Sequence, residues 1–390
     1  MPNVIGARTV YGVGGKENGG RLVVDMREEI AQLEPNDSPF ITFLRASKKN
    51  TRVVENPKFE WLEDQLLANG SEAAANVAAS ATSVSVVDGS VFRAGDVIRI
   101  GTEQALVTAV SGNTLTITPN FGTEARSAAF ASGGMIYIIG KAYPENSTSP
   151  NAISTQVAEK FNYTQIFRTP IELSRTADKT KMYGGNDRGY QRSMALLDHK
   201  RDIAKAFYMG TRYFANDHVT RTTGGLFSFL SQAQAFSPGS GSGDVNLTYF
   251  NFDQYVAQKV FRYGSREKML FAGPRLSTAI NKWAMDKVVT DMSTEKAFGM
   301  RVKKLNTSYG DLIVVYDPLF ADLGCPDYGV IVDTSNVRYV HVKDSDTKLY
   351  TNIQENDRDG IKDEYLTECG LEVRLPKTHM LITGAYVPDA

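Results

Sequence analysis

Residue types able to do chemistry occur at a few places in the chain, and their spacing decides what each could do. Gly12-Val13-Gly14-Gly15-Lys16 sets a lysine behind glycines, as in loops whose backbone N–H groups cradle phosphate. Glu17 stands where Ser or Thr would hold magnesium, however, and no strand precedes the stretch, so an arm without chemistry is the better reading. Glu355, Asp357, Asp359 and Gly360 are spaced like part of a calcium loop, yet Leu366 occupies the position that needs a bidentate glutamate. A β-turn at Asp359-Gly360 accounts for them better. His199, His218, His341 and His379 show no HxxxH or HExxH spacing, and Cys325 and Cys369 lie near none of them in sequence. In the G-S-G-S-G run at 239–243, Gly241 stands where a nucleophile elbow needs serine. No catalytic residue, cofactor site or metal site is therefore assigned, and the pattern argues against an enzyme. The basic groups Lys48-Lys49 and Arg301 with Lys303-Lys304 read as solvated surface.

Composition narrows the remaining classes. The 390 residues carry 43 Lys and Arg against 44 Asp and Glu, a net charge of −1 that rules out a dedicated polybasic nucleic-acid binder. With 42% hydrophobic and 22% charged residues, the chain has the makings of folded cores rather than of disorder, and its length suits two or three folded units. No apolar run approaches the roughly 20 residues that cross a bilayer, so no membrane partner is expected. Residues 1–13 lack a basic region followed by an apolar core, and two cysteines are too few for a disulfide framework. The chain is expected to fold in a cytosol.

The elements follow from periodicity. Six glycines in the first 20 residues predict an arm without its own core, followed by a short helix carrying Val24, Ile30 and Leu33 and stopped at Pro35. From Lys58, strict alternation sets Phe59 and Trp61 on one face of a strand, and a matching strand sets Phe161, Tyr163 and Phe167 against Lys160, Asn162, Thr164 and Arg168. Together they predict an extended hairpin bracketing residues 74–140. That insertion has no lysine and only seven charged residues. Its five short β runs, at 84–87, 97–100, 105–110, 115–118 and 135–139, with a hairpin signal at Ser111-Gly112-Asn113, predict a small barrel or sandwich. The longest helix is expected over about 187–209, capped by Asn186 or Asp187 and ended by Gly210; Tyr190, Met194, Leu197, Ala204 and Tyr208 form its stripe. The glycine-serine run at 238–243 marks a boundary. Beyond it a mixed α/β pattern is expected: a helix over 253–263 stopped by Gly264, a strand at 269–271, a helix from Pro274, and strands at 312–316, 329–332 and 337–342. The tail returns to β, with Leu371, Val373 and Leu375 alternating against Glu372 and Arg374, then a strand over 380–386.

Several stretches, in order, resemble the major capsid proteins of tailed double-stranded DNA bacteriophages with the Hong Kong 97 fold. They are Asn36-Asp37-Ser38-Pro39-Phe40 with Phe59-Glu60-Trp61-Leu62-Glu63-Asp64, Phe161-Asn162-Tyr163-Thr164-Gln165-Ile166-Phe167, and Tyr183-Gly184-Gly185 before the long helix. Thr223-Gly224-Gly225-Leu226 and Leu371-Glu372-Val373-Arg374 through Ile382-Thr383-Gly384 continue the series. The resemblance implies an α+β capsid fold with a β-barrel-like insertion domain. Its layout would be an N-terminal arm at 1–45, an extended loop at 46–73 and 141–170, the insertion at 74–140, and a peripheral domain at 171–243 holding the spine helix. An axial domain at 244–348 and a return to the peripheral domain at 349–390 would complete it.

The implied function is self-assembly into hexamers and pentamers of an icosahedral head that encloses double-stranded DNA without sequence-specific binding. Phe59, Trp61, Phe161, Tyr163 and Phe167 are then the candidate intersubunit contacts. The implied partners are further copies of the chain, with scaffold, portal and cement or decoration proteins as additional candidates. The implied place is the virion head, assembled in the bacterial cytoplasm. An encapsulin-like compartment is the nearest alternative, and a carbohydrate-binding β protein built around 74–140 a more distant one.

Overall fold

The computed structural model describes residues 38–384 apart from 47, 124–127, 150–153, 181–186, 216–218, 231–234, 237–246, 287–293 and 298–299. The glycine-rich arm, the Gly12–Lys16 stretch, the helix expected at 24–33, Asn186, His218, the 238–243 run and the end of the last strand lie outside the described residues.

The chain divides into two units, residues 62–160 and the two segments that flank them. Residues 62–160 contain a closed six-stranded barrel. Its order is Gly70–Glu72, Met135–Lys141, Asp96–Ile100, Glu103–Ser111, Thr114–Thr118, Ser83–Ser85. An antiparallel bridge between Ala73 and Val86, with Val87 N donating to Glu72 O (2.9 Å), joins the two edge strands. Alternation turns Val84, Val86, Ile98, Ile100, Ala105, Val107, Leu115, Ile117 and Ile136 inward, where they make the core. The sixth strand, Gly70–Glu72, was missed because three residues of Gly, Ser and Glu show no apolar period.

The flanking segments build two larger sheets. One runs Thr51–Val54, Val337–Val342, Gly360–Val373, Gln165–Ser174, with Lys348–Tyr350 also on Gly360–Val373. The other runs Ala235–Phe236, Met380–Ile382, Gly329–Val332, Glu267–Ala272, Asp311–Tyr316, Met300–Asn306, Thr294–Ala297. The consecutive ranges expected from sequence are therefore interleaved. Thr51–Val54 and Gln165–Ser174 belong to the first sheet, Val337–Val342 also joins it, and Met380–Ile382 joins the second. Non-local pairing decides this, and local periodicity carries no trace of it.

The long helix spans Asp187–Met209, as its period predicts, and packs on Gln165–Ser174 and Gly360–Val373. Its fully buried face is His199, Ile203, Ala204, Phe207 and Tyr208; Tyr190, Met194 and Leu197 are only half-buried. The helix ends where Gly210 N donates to Ala206 O (2.8 Å), and a Cβ at Gly210 would lie 2.3 Å from that oxygen and 2.6 Å from Thr223 O. Pro39–Ala46, expected to be arm, is a helix that buries Phe40, Ile41, Phe43 and Leu44 in the same core. Phe40 stacks on Tyr208 at 5.0 Å.

A continuous helical stretch covers Tyr249–Val260, four residues earlier than expected, because Thr248 caps it by accepting from Asn251 N. Gly264 follows at φ +81°. The Pro274–Asp286 helix buries Leu276 and Ile280, with Trp283 packed against them. Glu355–Gly360 contains a turn at 356–357, and Asp359 pairs with Arg175 at 2.7 Å. Leu375, expected in the last alternating strand, adopts a left-handed conformation (φ 47°) and is exposed, because the strand ends at Val373 and Pro376 opens a 3-10 turn.

Two buried polar contacts tie these elements. The Lys268 ammonium donates to Val260 O, Tyr263 O and Thr378 O (2.8, 2.8 and 2.6 Å), using its three protons on three segments. Tyr208 donates its hydroxyl to Asp317 Oδ2 (2.8 Å), and Leu319 N donates to Oδ1 (3.0 Å). Burial pushes the Asp317 carboxyl up to about 6, against the lowering effect of those hydrogen bonds. Because the folded carboxyl titrates above its unfolded value, the folded chain binds more protons between about pH 4 and 6, and the penalty grows as pH rises through that window. Relative to wild type, Asp317→Asn should gain up to roughly 3 kcal/mol of stability in the unassembled subunit on going from pH 4 to pH 8. Urea unfolding at the two pH values checks this; an equal effect at both would refute it.

Candidate subunit-contact surface

The strands Lys58–Glu63 and Ala158–Tyr163 pair as a two-stranded ribbon. Phe59 and Trp61 share one face of the first strand, as alternation predicts, but that face is covered by the chain itself. Their rings stack at 6.1 Å, Trp61 meets Phe229 at 6.0 Å, and Val54 and Val340 complete the cluster. Phe59 is 3% and Trp61 5% exposed. A Cβ at position 370 would lie 2.9 Å from the Phe59 ring, so Gly370 is what lets the ring lie against the Gly360–Val373 strand. Phe167 is buried in the main core, edge-on to His199. These three candidates bury their apolar area within the chain, leaving little of it for a neighbour.

The second strand inverts the expected faces. Asn162 and Thr164 are fully buried, while Phe161 and Tyr163 keep part-exposed rings. Hydrogen bonding outweighs apolar parity here. Asn162 Nδ2 donates to Leu371 O (2.7 Å), Gly224 O (3.0 Å) and Thr223 Oγ1 (3.2 Å), and its Oδ1 accepts from Gly224 N (2.8 Å). Without that side chain, backbone groups of two other segments would be buried unpaired. Thr164 then separates the ribbon from Gln165–Ser174, where Phe167 and Ile171 turn inward.

Outside, Phe161 lies beneath the Arg212 guanidinium (4.0 Å) and the Lys58 ammonium (4.6 Å), and Arg212 Nη1 donates to Phe161 O (2.8 Å). Tyr163 stacks on Phe214 at 5.3 Å. Phe214 belongs to the hairpin Tyr213–Phe214 with Arg221–Thr222, on which Tyr213 is 56% exposed. Sequence reasoning missed Asn162, Arg212 and Tyr213. The aromatic pair Tyr213-Phe214 within a short polar stretch was the one available signal.

The titratable groups elsewhere are arranged for structure. His199 sits between Thr169 (2.8 Å) and Thr367 (2.7 Å), with burial pushing its pKa down. His379 Nδ1 accepts from Asp333 N and Nε2 donates to Arg374 O, both at 3.0 Å, a neutral imidazole that burial holds at about 4. Burial pushes the Cys369 thiol up, away from the reactive thiolate. Arg45, Thr51, Tyr339 and Asp346 line an open cavity of about 370 Å³, in which Asp346 accepts from Arg45 (3.1 Å) and Tyr339 (2.8 Å). No set of three or more His, Cys, Asp or Glu side chains among the described residues could hold a metal ion. No helix among them is long and apolar enough to cross a membrane.

A family model described as the SU10 major capsid protein matches residues 6–386. The chain belongs to that family. A curated relative, the major capsid protein of Pseudomonas phage PaMx41, is 25% identical over 254 residues, covering 62% of this chain and 59% of the relative. The match thus spans less than two thirds of the relative's length. Among solved structures, the mature capsid of bacteriophage PhiM1 is similar with a TM-score of 0.51 at 10% identity, covering 98% of this chain and 97% of that one. The capsid of cyanophage P-SCSP1u gives 0.51 at 9%, covering 98% and 99%. These likenesses show the fold, and this SU10-family chain has the α+β, Hong Kong 97-type capsid fold.

The ribbon separates two roles by position. Trp61→Ala should destabilise the unassembled subunit by roughly 3–5 kcal/mol, as for a buried large aromatic, whereas Tyr163→Ala should cost about 1 kcal/mol. Urea unfolding of each variant measures the difference. A wild-type midpoint for Trp61→Ala would show that Trp61 does not depend on its own chain for burial.

Proposed function

We propose that this chain is the shell-forming subunit of a tailed-phage head. Copies assemble into hexamers and pentamers that close into an icosahedral shell around double-stranded DNA. The match of the family model to residues 6–386 carries this reading, supported by the spine helix laid across a sheet and by the relative from a Pseudomonas phage. The chain's part is positioning and contact rather than catalysis, and His199, His379 and the Cys369 thiol, which burial favours in their neutral forms, suit such a part. Phe161 and Tyr163, whose rings keep exposed faces, are contacts between copies, and each Å² of apolar area they cover contributes about 25 cal/mol. Small gains repeated over many symmetric interfaces add to a stable shell. A net charge of −1 suits a container that confines DNA without gripping it. Assembly in the host cytoplasm, with a portal and accessory proteins, belongs to the same reading.

Electron cryo-microscopy of purified particles, with the 260/280 nm absorbance ratio recorded alongside, tests it. DNA-filled icosahedral shells are the expected result. Protein-filled shells would favour a compartment, and monomers under assembly conditions would refute the proposal. The shell contacts are noncovalent in this reading, so a denaturing gel should show a single band near 42.9 kDa; a ladder of heavier bands would contradict it.

A further inference from the structure

Residues 62–160 expose more apolar surface than an isolated barrel needs. Leu66 is 96%, Leu62 66% and Leu67 49% exposed. Along Met135–Lys141, Tyr137 and Ile139 point outward at 49% and 51%, alternating with inward Ile136 and Ile138. The two groups are neighbours, because Ile138 N donates to Asn69 O (2.9 Å) and Gly70 pairs with Tyr137. Contiguous exposed leucine, isoleucine and tyrosine of this kind mark a contact surface.

Charge says what covers it. Residues 62–160 carry nine Asp and Glu against five Lys and Arg, a net of −4, whereas the rest of the chain carries 35 against 38, a net of +3. Two such surfaces facing each other would set like charges together. A contact between this surface and the cationic part of another copy sets unlike charges together. Head-to-tail contact between two different patches is also the kind that closes rings.

Among the described residues, the hairpin that starts at Tyr213 offers both features. Arg212 is exposed, and its guanidinium contacts the Phe161 ring and the Phe161 carbonyl, with no carboxylate partner among the described residues. Tyr213 and Val219, 56% and 72% exposed, stand on the same hairpin. Within residues 62–160, exposed Asp64 accepts from Gln65 N (2.8 Å) and Thr155 Oγ1 (3.2 Å) and meets no cation among the described residues.

We propose that the Leu62–Leu67–Tyr137 surface is covered by a second copy of this chain, which presents its Arg212–Tyr213 hairpin to it and pairs Arg212 with Asp64. The inference rests on the shell reading and names the partner surface within it. Leu66 and Leu67 supply the apolar contact, and the charge pair selects the partner and speeds encounter.

A charge swap tests it. Asp64→Arg and Arg212→Glu, each alone, should raise the concentration needed for shell assembly about tenfold, and the double variant should return it to within about threefold of wild type. Leu66→Ser should also raise it while leaving the urea midpoint of the unassembled subunit unchanged, since that side chain is already in water at 96% exposure. Single variants that assemble like wild type, or a double variant no better than the worse single one, would overturn the pairing. Wild-type chain that forms no shells at all would instead count against the shell reading itself.

Discussion

The strand Gly360–Val373 is the constraint on which the larger unit depends. It pairs with Gln165–Ser174, Val337–Val342 and Lys348–Tyr350, and a ladder of buried polar side chains along it receives a partner from nearly every neighbouring element. Asp363 accepts from Arg188 (2.7 and 2.8 Å) and Arg192 at the start of the spine helix and is held at about 2, chiefly by the Arg188 hydrogen bond. Glu364 takes Arg168, Thr367 takes His199, and Glu368 takes Arg221 and Thr164. Glu372, fully buried, takes Arg52 from the first strand of the sheet at 2.6 Å. Buried pairs of this kind add little net stability against an apolar alternative, yet breaking one leaves a stranded charge at a cost of about 3–5 kcal/mol. Their effect is on register. A slip of one residue along this strand would send every carboxylate to the wrong face and leave its arginine unpaired.

That arrangement explains which parts of the fold are legible in the sequence. The spine helix and the barrel strands are set by local period, so Asp187–Met209 falls where the apolar stripe and Gly210 place it, and five of the six barrel strands follow from alternation. Sheet membership is set by charge partners far apart in the chain, and no window of sequence contains both Arg52 and Glu372. The expected alternation over 371–375 misreads the strand for the same reason. Glu372 is buried beside Leu371 and Val373 because its partners Arg52 and Arg374 are there to meet it.

The contact surface shows the same limit at closer range. Apolar parity assigns Phe59 and Trp61 to one face correctly but does not say that the chain covers that face. On the return strand, parity fails because Asn162 satisfies backbone groups of two other segments, and a side chain making three such bonds outweighs the gain from turning Phe161 inward. The rings displaced outward are the ones left available. Satisfying polar groups inside the subunit thus determines which apolar groups remain for contact outside it.

A subunit that pairs a row of carboxylates along one strand, and buries Phe59, Trp61 and Phe167 in its own cores, holds its shape without a neighbour. In the proposed shell, the groups left for contact are individually weak: partly covered rings, exposed leucines and single charges. Weak contacts let a misplaced copy dissociate, while the symmetry of a closed shell multiplies the correct ones. A subunit that relied on neighbours to bury Trp61 or Phe167 would expose those rings until assembly and would aggregate on the way. Internal satisfaction and weak external contact are therefore two aspects of the same requirement.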